Sequence, residues 1–157
     1  MFIFQQALYS FLSTLGFSVL FNSPKDCIMK ASFCGMAGWL VKMSLTSSFN
    51  SNVGGTFFGA MTVGIIGEAL ARKNKKPATV FIIPGIIPLV PGAGMYYTMI
   101  NFINNNFSKT IEIGSDAIFT AISIAIAVIV ASSLSRFVIR GIDKRRGYVD
   151  IIKKRSR

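Results

Sequence analysis

Histidine is absent from the 157 residues, cysteine occurs twice, and acidic side chains occur six times against 17 basic ones. Without histidine, and with Cys27 and Cys34 as the only thiols, a zinc site lacks its usual ligands. The two cysteines share one face of a helix, two turns apart. That puts their Cα atoms about 10 Å apart, too far for a disulfide, so both read as small, soft packing residues. The chain also lacks paired carboxylates in an apolar segment and a Ser-Lys dyad within one span, which argues against a membrane-embedded enzyme. No cofactor is implied. Amphipathic periodicity is scarce, so the pattern does not describe a soluble core.

What the chain has is apolar mass: 52% of it is hydrophobic and 15% charged. The apolar residues gather in blocks of about 20, the length that crosses the hydrocarbon of a bilayer. The expected fold is an all-α integral membrane bundle of about five transmembrane helices, roughly residues 2–21, 27–46, 53–71, 80–103 and 117–139. The first block, "MFIFQQALYSFLSTLGF", lacks a basic n-region and a small-residue cleavage site, so it reads as a retained span rather than a signal peptide. The second contains Lys30 and Lys42. Both lie near its ends, where a lysine stem can snorkel to the interface.

The net charge of +11 raises nucleic acid as a partner. The charges sit at block ends and in one tail, however, and membrane topology explains them better. With five spans, all of the Lys and Arg residues except Lys42 and Lys109 fall on one side. The positive-inside bias then places the N-terminus outside and the C-terminus in the cytoplasm. Residues 1–140 are read as one transmembrane domain and 141–157 as a basic cytoplasmic tail, which fixes topology and contacts anionic lipid headgroups.

The third block, "VGGTFFGAMTVGIIGEALA", carries small residues at four-residue steps, Gly55 with Gly59 and Ala60 with Gly64. Such steps let helix backbones approach closely in lipid, within this chain or against another subunit. Glu68 is a candidate coupling residue, since acids in a membrane are often functional. The competing reading is an interfacial ion pair with Arg72, one turn away. Asp116 opens the fifth block, where an acid favours the helix dipole. Gln6, Ser10, Ser13 and Thr14 share a face of the first block. They either line a polar path or bond their own backbone and neighbouring helices.

The fourth block holds the least ordinary stretch, "FIIPGIIPLVPGAGMYY". Its three prolines, Pro84, Pro88 and Pro91, are interspersed with Gly85, Gly92 and Gly94. Each proline removes a backbone donor and disturbs the carbonyl four residues earlier; Pro88 would thus strip the partner of the Pro84 carbonyl. A straight helix is not expected. Irregular backbone at membrane depth survives only when buried in protein or lining a wet cavity, and transporters use such breaks to bind solutes. A half-helix starting near Gly92 would aim its amides back at the break. Tyr96, Tyr97 and Asn101 follow as side-chain donors. The plain alternative is a kinked structural helix.

At these residues the chain resembles a known family. "PGIIPLVPGAGMYYTM", Pro84 to Met99, is similar to the signature of the threonine/serine exporter family, in particular its short five-span subunit. "GAMTVGIIGEALARKNKKPATVF" and "VLFNSPKD" are similar to the stretches that precede it. The resemblance covers the chain to about Gly141. It implies export of small hydrophilic metabolites from the bacterial cytoplasmic membrane: threonine and serine in single-chain members, a dicarboxylate such as succinate in a split pair. It further implies that this chain is a second half, acting with a separately encoded larger membrane subunit. The residues carried over are Pro84, Gly85, Pro88, Pro91, Gly92 and Tyr96; with Asn101 they form the expected substrate path. Glu68 stands outside the family pattern. The competing function is a non-transporting scaffold that assembles through Gly55, Gly59 and Gly64.

The topology has a direct check. A cysteine introduced at Ser48 is expected to react with an impermeant thiol reagent from outside; reaction only from the cytoplasm contradicts five spans.

Overall fold

The computed structural model describes residues 2–155, with side chains described for 3–48 and 50–135. Every described element is helical. In order they are α1 (Phe2–Leu20), α2 (Lys25–Phe49), α3 (Asn52–Asn74), α4 (Thr79–Ile86), a 3₁₀ turn (Ile87–Leu89), α5 (Gly92–Ile103) and α6 (Phe107–Arg155). The side chains of the basic tail, 141–157, lie outside the described residues.

Polar residues end the helices. Asn22, Asn50, Lys75 and Asn105 adopt positive φ, and no described glycine does. After α1, the N–H of Ser23 donates to the Ser18 carbonyl and that of Asn22 to Val19. The same paired closure recurs after α3, from Lys76 to Ala71 and Lys75 to Arg72, and after α5, from Asn106 to Asn101 and Asn105 to Phe102. This is the Schellman arrangement, with asparagine or lysine in the usual place of glycine. At the start of α3, the N–H of Gly54 donates to Ser51 Oγ at 3.2 Å, an N-cap.

Most of the glycines are used instead for packing. Helix α2 lies against α1, α3 and α4, and α3 also carries α6. A Cβ on Gly59 would lie 2.7 Å from the Gly38 carbonyl oxygen, and one on Gly38 would lie 3.0 Å from that of Gly59. The α2 and α3 backbones therefore touch. Gly55 abuts Thr46 and the Lys42 carbonyl, Gly64 abuts Ala131 of α6, and Gly67 abuts Ile82 of α4. Around this seam lies a core of Cys34, Ala60, Val63, Leu89, Ile124 and Ala127. A second cluster, Cys27, Ala31, Ala71 and Phe81, closes the end where α2 begins. Both cysteines are free and buried.

The span count differs from expectation. Among the described residues, three helices are long and apolar enough to cross a membrane: Ile3–Leu20, Asn52–Asn74 and Phe107–Ser135. A fourth crossing requires Thr79–Leu89 and Gly92–Ile103 together, which bend by 51°. The expected span 27–46 does form a helix, and its 25 residues are long enough. It is too polar, carrying Lys25, Asp26, Lys30 and Lys42 with Ser32 and a run of serines and a threonine from Ser44 to Ser48. The segment "NNNFSKTIEIGS", expected as an outer loop before a span at 117–139, is mostly helix: α6 starts at Phe107. Asn106 explains the early start, since its carbonyl accepts from the Thr110 N–H and its Oδ1 from the Lys109 N–H. Gly114 does not interrupt the helix. A Cβ there would lie 3.1 Å from Thr98 Cγ2, so it is where α5 and α6 come close.

Gly59→Ala is expected to lower the thermal midpoint of the purified chain in detergent, by overpacking of about 1–3 kcal/mol. Gly16→Ala, with nothing within 4 Å of the added carbon, should not.

Candidate functional site

The proline-rich segment from α4 to α5 breaks in a defined way. Pro84 lies inside α4, yet its carbonyl accepts from the Ile87 N–H. The carbonyl that Pro88 was expected to orphan is therefore satisfied by a tighter turn. The 3₁₀ turn follows, Val90 is extended, and Pro91 has φ −77° and ψ 55°. Across Pro91 the Gly92 N–H donates to the Val90 carbonyl at 2.8 Å, an inverse γ-turn. Helix α5 then begins, with the Met95 N–H donating to the Pro91 carbonyl at 3.0 Å.

The two halves of the span sit in different surroundings. Pro84, Gly85 and Leu89 are buried. A Cβ on Gly85 would lie 2.8 Å from Val63 and 3.7 Å from Cys34 Sγ. Helix α5 has no buried residue and packs chiefly on α6. Pro88 and Pro91 are half-buried at the bend, and Gly92 is exposed. Tyr96 is 61% exposed, with its ring edge-on to Tyr97. Asn101 Nδ2 donates to the Tyr97 carbonyl at 2.8 Å. The expected path residues thus divide: Pro84 and Gly85 face α2 and α3, while Tyr96 stands on the outer surface of α5.

The polar face of α1 is turned onto itself. Ser10, Thr14 and Ser18 each donate to a carbonyl three or four residues back, those of Ala7, Ser10 and Thr14. Gln6 differs, because its Oε1 accepts from Trp39 Nε1 at 3.1 Å. At the opposite end of the bundle Arg72 donates to Glu68 Oε2 at 3.4 Å and to Ser135 Oγ. Nearby Lys30 Nζ donates to Asn74 Oδ1. Glu68 is thus held in the interfacial pair.

Sequence reasoning passed over the groups around Lys42. Its Nζ stands 5.1 Å from the centroid of the Trp39 ring. With Trp39, Met43, Thr46, Ser47 and Asn52 it lines a pocket of about 180 Å³. The hydroxyls of Thr46 and Thr120 are buried with no hydrogen-bond partner. The available signal was the i, i+3 spacing of Trp39 and Lys42 on a helix too polar for a plain span. A larger groove of about 380 Å³ lies between α5 and α6, lined by Met95, Met99, Phe102, Ala117 and Ile118 among others.

Comparison with known proteins adds three findings. The family model described as threonine/serine exporter, ThrE, matches residues 6–134, most of the chain and all of the break. An uncharacterized protein of Haemophilus influenzae is 25% identical over 96 residues, which is 61% of this chain and 32% of that protein. The matched part therefore spans about a third of the length of that curated relative. No solved structure matches.

Glu68→Gln should change the thermal midpoint little, since an exposed pair is worth about 0–1 kcal/mol and Arg72 keeps Ser135. Transport lost at unchanged stability would instead give Glu68 a coupling role.

Proposed function

The chain belongs to the threonine/serine exporter family, and we propose that it is the subunit of a secondary exporter that carries the broken span. The observation that carries this reading is the family match running through Pro84–Met99, where the helix breaks at a γ-turn. The family is one of membrane exporters rather than enzymes. The solute is a small hydrophilic metabolite, threonine or serine or a small carboxylate such as succinate. The path runs along the break, past Pro88, Pro91 and Gly92, with Tyr96 and Asn101 beyond it on α5.

A larger membrane subunit of the same family completes the transporter. The bare apolar surface of α5 and α6 supports this. In that setting α2 is a further crossing. It is long enough, and α1, α3 and α4 pack on it; Ser32 is buried, Lys30 and Lys42 are half-buried, and its exposed polar residues gather at its two ends. The N-terminus is outside and the C-terminus cytoplasmic, in a bacterial inner membrane. Residues 1–140 form the transmembrane unit, and the tail from 141 meets anionic headgroups.

The test is efflux from cells that express the chain with its larger partner, loaded with a threonine-containing dipeptide or with succinate. Replacing both Pro88 and Pro91 with alanine is expected to slow efflux by about tenfold, or about 1.4 kcal/mol in the barrier. Unchanged efflux in that variant, with loss on bulky substitution at Gly55 or Gly59, would favour the scaffold.

A further inference from the structure

An ammonium group inside an apolar bundle needs a partner. Lys42 has none of the usual kind. Among the described residues the one ion pair is Arg72 with Glu68, at the opposite end of α3 from the Lys42 neighbourhood. The charge rests instead over the Trp39 ring, a favourable place for a cation but one that leaves its N–H donors open. Trp39 is held there from its other edge by Gln6. Asp116 of α6 is the acid whose charge reaches Lys42. Two further polar groups go unanswered close by in sequence: the hydroxyl of Thr46, one turn after Lys42, and that of Thr120, one turn after Asp116.

The backbone end of the Lys42 side chain packs near the break. Gly59 is where they meet: a Cβ there would lie 3.0 Å from Lys42 Cβ and 3.4 Å from Leu89 Cδ2. Leu89 is the last residue of the 3₁₀ turn. Helix α5 joins from the other side, where a Cβ on Gly94 would lie 3.3 Å from Ala117, the neighbour of Asp116. The open ammonium donors of Lys42, in a pocket of about 180 Å³, suit a small anion rather than a drug-sized ligand.

We propose that Lys42 is the carboxylate anchor of the solute path, holding a small carboxylate in the Trp39–Lys42 pocket, across Gly59 from the break. The ligand carboxylate takes the ammonium donors, and Trp39 forms the apolar wall. The proposal rests on the exporter reading for its role in transport, while binding itself can be tested apart from transport.

Trp39 is the chain's single tryptophan, so its emission reports the pocket. The purified full chain is titrated with succinate, L-threonine and L-threoninamide, which lacks the carboxylate. Succinate or L-threonine should change the emission saturably, and the amide should not. Lys42→Met should weaken the response by about tenfold in apparent Kd. Lys42→Arg should stay within about threefold of wild type, because the charge is kept. No saturable response in the wild type, an equal response to the amide, or an unchanged Kd in Lys42→Met overturns the proposal. Efflux measured in parallel separates the two claims. Efflux that Lys42→Met leaves unchanged sinks the anchor alone. Absent efflux with intact titrations sinks the exporter reading alone.

Discussion

The contact between the α2 and α3 backbones at Gly38 and Gly59 is the constraint on which the rest of the bundle depends. Lipid is as apolar as a leucine side chain, so helices in it gain little from burying apolar surface. They associate through close packing and through bonds between their polar groups. Missing Cβ atoms make that packing possible. Once the two backbones touch, Val63 reaches Gly38 and Gly85, and Leu89 reaches Gly59. The buried half of the broken span is thereby seated on the seam, and α6 is fixed to the same helix through Gly64 and Ala131. Helix ends are closed by Asn22, Asn50, Lys75 and Asn105, so glycine is kept for the interfaces.

The break acquires its character from this asymmetry. Its first half is locked between α2 and α3, while its second half leans on α6 and leaves Met95, Tyr96, Met99 and Phe102 exposed. The Pro91 γ-turn joins a fixed segment to a lightly held one. Elements with few buried contacts are those that open at low free energy, and an exporter that alternates access needs such an element beside its solute. Lys42 lies against the fixed half, on the other side of Gly59. In the proposed exporter the seam side of the path is the fixed one, and α5 is its lightly held wall.

Much of this was legible in the residues. Small residues at four-residue steps marked the seam of α3, and prolines marked the break to within a turn. The misses have physical causes. Lys30 and Lys42 were read as snorkelling, yet both are held by neighbours, Asn74 and Trp39, which no local pattern reveals. "NNNFSKTIEIGS" looked like a loop because asparagine, serine and glycine are poor helix formers. An asparagine cap and a close α5 contact at Gly114 outweigh that propensity. Tyr96 follows the signature closely in sequence but lies beyond the bend, so sharing the motif does not put it with Pro84. The hydroxyls of α1 were ambiguous from spacing alone, and three of them bond their own helix.

The central claim is that the break lines a solute path, and Val90 tests it most directly. It is the extended residue at the bend and is 42% exposed. A cysteine placed there, in the chain assembled with its larger partner, should react with a small hydrophilic thiol reagent. Saturating transported solute should slow that reaction severalfold. A cysteine that does not react, or one whose rate the solute leaves unchanged, would contradict the account.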